Sequence, residues 1–267
     1  MAKKKRAGRI RFGTYPYTVT RVRVMKSKLL TADDYLRMRK MGVNEAIRFL
    51  GESEYKSEID TLSKEYRGTE LIELAMNQNL ASTVNKLLEI SLKDEVKHII
   101  QSYSMKWVLN NVKMVLRTKM NRLSENELRY SIIPIKPADF ETCMKLYRES
   151  GEGLVHTLSS ITGIDRERIR ELYNANNLFG LENEIDIAFY YRLMGMEKGI
   201  KMKKTDPLKQ FFDHLIQLNN IKNVVRLKKE GINEEIIKKM MIRPVKPTKI
   251  KKKEWVEIIK TDEGKKG

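Results

Sequence analysis

The residue types that perform metal, nucleophilic or acid–base chemistry are few in this sequence and poorly spaced for it. His98, His156 and His214 are its only imidazoles. No two of them lie three or four residues apart, the spacing that puts two ligands on one helix face. Cys143 stands alone, which excludes an intrachain disulfide and a thiolate metal site and points to a reducing interior. Gly151-Glu152-Gly153 lacks the third glycine and the Gly-Lys-Ser/Thr ending of a phosphate loop, so it reads as a helix break. Thr162-Gly163-Ile164-Asp165 has the form of a turn between DNA-binding helices, but that form is shared by many helical proteins. The carboxylates fall mostly in caps and on polar faces. No catalytic residue, no metal ligand and no cofactor site is therefore expected.

The residues with binding chemistry are better organised. Val24-Met25-Lys26-Ser27-Lys28, Val115-Leu116-Arg117-Thr118-Lys119 and Val224-Val225-Arg226-Leu227-Lys228 each read valine, apolar, basic, any residue, lysine. Their basic members Lys26, Arg117 and Arg226 lie 91 and 109 residues apart, and each word ends a segment with helical spacing. The second and third copies share more: Asn110-Asn111-Val112-Lys113 returns as Asn219-Asn220-Ile221-Lys222 at the same spacing of 109. Ile133-Pro134-Ile135-Lys136-Pro137 is answered by Arg243-Pro244-Val245-Lys246-Pro247. Lys26, Arg117 and Arg226 are thus candidate contacts to one partner, with an ordinary solvated face as the alternative. Asn111 and Asn220 are structural candidates, because an amide beside an apolar stripe needs hydrogen-bond partners, expected between packed helices.

Helices must position these groups. Thr31 ahead of Asp33 and Asp34 reads as an N-cap, and Asn44 as the cap of a short helix. Gly68 opens a longer helix. Ser91 with Asp94, and Ser124 with Glu127, have the spacing of capping boxes, the first opening the longest helix, up to Lys119. Val96, Ile99, Ile100, Tyr103, Trp107 and Met114 recur along it at steps of three and four. Asp206-Pro207 starts a second long helix that Gly231 ends, and Asn233 caps the next. The helical reading divides into a basic N-terminal arm at 1–13 and copies at 14–102, 103–205 and 206–267. The third is short, holding a long helix, a capped short helix and the proline turn.

Composition agrees with an all-α chain. Hydrophobic residues at 41% and charged residues at 33% exclude a disordered chain, and six prolines are too few for a turn-rich β-sandwich. Ten basic residues and no acidic one among residues 1–28 account for more than half of the net charge of +18. Such charge fits an anionic membrane surface or nucleic acid. The first residues lack the apolar segment of a secretory signal, and no uncharged run reaches the roughly 18–20 residues of a membrane span.

With these words in place, the stretch Thr20 to Leu30 closely resembles the start of the C subunit of archaeal A-type ATP synthases, the counterpart of the d subunit in vacuolar-type ATPases. Phe49-Leu50 followed by Tyr55 resembles the next element of that family. Asn111-Val112 to Arg117 and Asn220-Ile221 to Arg226 resemble its recurring helices, and Glu184-Ile185-Asp186 before Phe189-Tyr190-Tyr191 the helix that precedes one. The resemblance extends over most of residues 14–242. It implies an all-helical funnel of three pseudo-repeated sectors, the third incomplete here. It also implies a central-stalk subunit without an active site, peripheral at the cytoplasmic face of the membrane. The partners would be the proteolipid rotor ring and the central-shaft subunits, with torque passed between them for proton or sodium transport coupled to ATP. The rival reading is a basic helical nucleic-acid-binding protein. Trp107, Phe211 and Phe212 oppose it, since they lie on apolar stripes rather than among exposed lysines.

Overall fold

Several helices of this chain carry their own start or stop signals, so those boundaries are set by chemistry within a few residues of the end. A computed structural model describes residues 15–200, 206–229 and 231–242. The basic arm, the proline pair Pro244 and Pro247 and the apolar piece around Trp255 lie outside the described residues. Among those residues every regular element is an α-helix. In order they are α1 (Pro16–Ser27), α2 (Ala32–Met38), α3 (Val43–Gly51), α4 (Lys56–Leu62), α5 (Gly68–Ile90), α6 (Asp94–Met120) and α7 (Glu125–Ser131). There follow α8 (Pro137–Arg148), α9 (Gly151–Thr162), α10 (Arg166–Asn174), α11 (Leu178–Gly199), α12 (Pro207–Lys229) and α13 (Glu234–Met240). The all-α expectation holds. At 27 residues α6 is about 40 Å long.

Capping chemistry fixes several of the starts. Thr31 and Ser124 each accept from the amide three residues on, while Asp34 and Glu127 return a carboxylate to the capping residue's own N–H. Asn233 Oδ1 accepts from Glu235 N at 2.8 Å to start α13. Two starts differ from the sequence reading. Asn44 does not cap α3: Gly42 does, its N–H donating to the Glu45 carboxylate at 3.0 Å. Ser91 does not open α6, because its hydroxyl donates to Leu87 O at 2.6 Å and so closes α5. Lys93 is the N-cap of α6, with Asp94 and Glu95 in the first turn facing the helix dipole.

The described residues form two compact units, the first through Glu182 and the second from Asn183, with the division inside α11. In the first unit, α3, α4 and α5 close around Leu50, Ile59, Leu62, Leu71 and Ala75. Further along α5, Ala81 and Val84 pack with Ile135, and Ile100, Trp107 and Ile133 complete that core. In the second unit Met194, Ile216 and Ile242 form the core, with Ile187 and Tyr190 against them. Thus in both units an isoleucine from the segment after a short capped helix enters the core.

Helices α6 and α12 also stop in the same way. Leu123 N donates to Thr118 O at 2.8 Å and Arg122 N to Lys119 O at 3.2 Å. Likewise Ile232 N donates to Leu227 O at 3.0 Å and Gly231 N to Lys228 O at 3.0 Å. This pair of bonds is the left-handed helix exit that satisfies the last free carbonyls. Its turning residue has positive φ, 70° at Gly231 and 57° at Arg122. Glycine occupies that conformation without penalty, whereas an L side chain costs on the order of 1 kcal/mol. Arg122 is exposed, so little packing offsets the cost. We expect Arg122→Gly to stabilise the protein by up to about 1 kcal/mol, less the extra freedom glycine gains when unfolded. Gly231→Ala is expected to destabilise by about 1 kcal/mol from backbone strain alone, since a Cβ there meets nothing within 4 Å. Chemical denaturation of the two variants checks both signs.

Candidate functional site

The repeated words acquire a common geometry in α6 and α12. Asn111 and Asn220 are buried, and each closes a two-bond ring on a residue 22 positions later. Asn111 Nδ2 donates to Ile133 O at 2.7 Å, and Ile133 N donates back to Asn111 Oδ1 at 2.9 Å. Asn220 Nδ2 donates to Ile242 O at 3.0 Å, and Ile242 N donates to Asn220 Oδ1 at 2.9 Å. The partner is main chain leaving a short helix, not a second helix. An asparagine amide offers a donor and an acceptor side by side and so imitates the edge of a strand. It satisfies both polar groups of a residue that no helix can serve, and it seats the flanking apolar side chains in the core. In the first unit Asn85 adds a third bond from α5, Nδ2 to Ile135 O at 3.2 Å. Sequence reasoning missed Asn85, whose only signal is an amide next to Val84 and near Leu88.

The three basic residues do not share one environment. Lys26 is exposed on α1. Arg117, half-exposed, grips Glu182 with two bonds, Nε to Oε1 at 2.5 Å and Nη2 to Oε2 at 2.9 Å. The Glu182 side chain is only 11% exposed against 43% for Arg117, so the pair fastens the first turns of α11 to α6 within the first unit. Two parallel charge-assisted bonds fix orientation as well as distance. Arg226 is half-buried in α12. Near Arg117, Lys119 donates to Tyr147 O at 2.6 Å, and burial pushes its ammonium below its ordinary range although Glu149 opposes this.

The remaining chemical groups are placed structurally. His156 Nδ1 lies 2.6 Å from Arg166 Nη2, and His214 Nδ1 lies 2.6 Å from Gln210 O. Burial first and Asp139 second push the Cys143 thiol up to about 12, which makes it a poor nucleophile. No group of three or more His, Cys, Asp or Glu side chains is set to hold a metal among the described residues. Phe212 is in the core and Phe211 is exposed beside it, while Trp107 packs edge-on to Tyr103 at 5.6 Å. No described helix is long and apolar enough to cross a membrane.

Residues 18–263 match the family described as ATP synthase (C/AC39) subunit. The chain belongs to that family. Among its relatives, the C subunit of the A-type ATP synthase of Methanococcoides burtonii is 32% identical over 229 residues, which are 85% of this chain and 63% of that protein. Its counterpart in Methanosarcina acetivorans is 34% identical over 82% of this chain and 60% of its own length. That of Haloferax volcanii is 31% identical over 80% and 62%. This chain thus spans about three-fifths of the length of these curated relatives. The matched region of the C/AC39 family contains both asparagine rings and all three basic words.

Two outcomes follow from this geometry. Asn111→Ala and Asn220→Ala each strand a main-chain donor and acceptor, and each is expected to cost about 2–4 kcal/mol in chemical denaturation. For the ion pair the effect should be asymmetric. Arg117→Ala leaves a buried carboxylate without its two-bond donor, at about 2–3 kcal/mol after allowance for the half-exposed arginine. Glu182→Gln leaves an arginine that water can reach, at about 1 kcal/mol or less.

Proposed function

We propose that this chain is a non-catalytic central-stalk subunit of a rotary A/V-type ATP synthase, joining the membrane proteolipid ring to the central shaft and passing torque between them. On this reading it is peripheral at the cytoplasmic face of the membrane and works in proton or sodium transport coupled to ATP. Membership of the C/AC39 family carries the reading. The physical support is the repeated device of a long helix, a left-handed exit, a capped short helix and an asparagine ring. Such a unit resists shear because its exit segments at Ile133 and Ile242 are held by bonds to buried asparagines rather than by side chains in solvent. Three sectors, at 14–102, 103–205 and 206–267, arranged as a funnel belong to the same proposal. So do Lys26, Arg117 and Arg226 as partner contacts, with Lys26 the most accessible. Surface charges of this kind act more on partner selection and encounter than on affinity.

The test is purification from native membranes. The chain is expected to travel with the proteolipid ring and shaft proteins through a salt wash and size separation, and to show no nucleotide hydrolysis by itself. Separation from every other component of the ATPase, or release by nuclease with bound RNA, would overturn the assignment.

A further inference from the structure

The repeated word is not covered alike in its three copies. Its leading valine is 0% exposed at Val115 and 1% at Val224 but 53% exposed at Val24. The difference extends along the helix. In α6 the residues in register with Val115 at i−7, i−3 and i+4 are Val108, Val112 and Lys119, and Val112 is buried with Val115. In α1 the same register reads Tyr17, Arg21, Val24 and Lys28, and all four are exposed. These positions fall on one side of a helix. An adjoining side of α1 is already seated: Thr18 is buried and its hydroxyl donates to Ile90 O, the end of α5, at 2.9 Å. Helix α1 is therefore anchored by one face and open on the next.

Charge selects what covers it. Arg21, Arg23, Lys26 and Lys28 all project from α1 or its C-terminal cap and are exposed, Lys28 already being paired with Glu54 at 2.9 Å, and the helix contains no acidic residue. The molecule shows how the word is satisfied elsewhere: Arg117 is held by two bonds from Glu182 on α11, which also brings fully buried Leu181. Residues 243–267 fit poorly, since they carry nine basic and four acidic side chains. A second copy fits poorly as well, because two chains of net charge +18 repel. We propose that the Tyr17–Arg21–Val24–Lys28 face of α1 is a docking surface for an amphipathic helix bearing carboxylates, supplied by another protein of the rotary ATPase. The inference rests on the assembly reading above and adds which face of this chain is used and what chemistry its partner presents. Val24 and Tyr17 supply apolar area, and Arg21, Arg23 and Lys26 select the acidic face and fix its register.

The experiment places the photo-crosslinker p-benzoylphenylalanine at Val24 in the full chain, with the exposed position Arg122 as control, and irradiates the complex purified from membranes. The expected product joins Val24 to a carboxylate-bearing helical segment of another ATPase protein, mapped by mass spectrometry. Val24→Asp should reduce recovery of the chain with the complex about tenfold, the loss expected when a buried valine contact is removed. Its thermal unfolding should stay unchanged, because Val24 is exposed. Arg21→Glu with Arg23→Glu should do the same, and lysine in place of the mapped partner carboxylates should restore recovery. Crosslinks confined to residues 243–267, to a second copy or to lipid, in a chain that still copurifies with the ATPase, overturn the docking surface and leave the assembly reading standing. So does full recovery of Val24→Asp. A chain that does not copurify at all defeats the assembly reading, and this inference with it.

Discussion

A backbone that leaves a helix inside a core has an N–H and a C=O that neither helix nor water can serve, and the structure depends on how that need is met. Asn111 and Asn220 meet it by presenting an amide edge to Ile133 and Ile242. Once the ring closes, the residue is held at a fixed distance from the long helix. Its side chain, or that of its neighbour Ile135, then enters the core at a set depth. A hydroxyl offers no such side-by-side pair, and a carboxylate would set negative charge against the carbonyl. Asparagine alone, or glutamine with a longer and less ordered stem, has the required donor and acceptor.

The rest of the repeated unit works with this ring. The left-handed exits at Arg122 and Gly231 turn the chain sharply, and the caps at Ser124 and Asn233 restart it two residues later. The short helices that follow deliver the chain to the ring after 22 residues in both cases. Loop closure over so short a span costs little entropy, so two buried bonds suffice to fix it. The first copy lacks the device. Helix α1 ends without a left-handed residue, through two long bonds of 3.3 Å, and its fixed point is instead the Thr18 hydroxyl on Ile90.

Much of this was legible in the sequence where the physics is local. Thr31 with Asp34, Ser124 with Glu127, and Gly231 announce their helix ends because cap and turn chemistry acts over three or four residues. Ser91 misled, since its hydroxyl had an equally close acceptor behind it in Leu87. The spacing of 109 exposed the paired asparagines, but the bond from Asn111 to Ile133 joins residues whose sequence shows no complementarity. The ion pair of Arg117 with Glu182 spans 65 residues and was invisible for the same reason. The repeated word drew attention to Val24, yet a repeat in sequence cannot tell a covered face from an open one. Val24 and Val115 stand in the same word and differ completely in burial.

The chain belongs to the C/AC39 family, and the asparagine rings tie its helix-exit segments to the long helices. The most direct measurement is amide hydrogen exchange at Ile133 and Ile242 in the intact chain. Both amides lie outside helices, so without the rings they exchange as fast as other exit segments. The account predicts that both are protected to the level of the helix cores around Val115 and Val224. Rapid exchange at either position, with those helix cores protected, would contradict it.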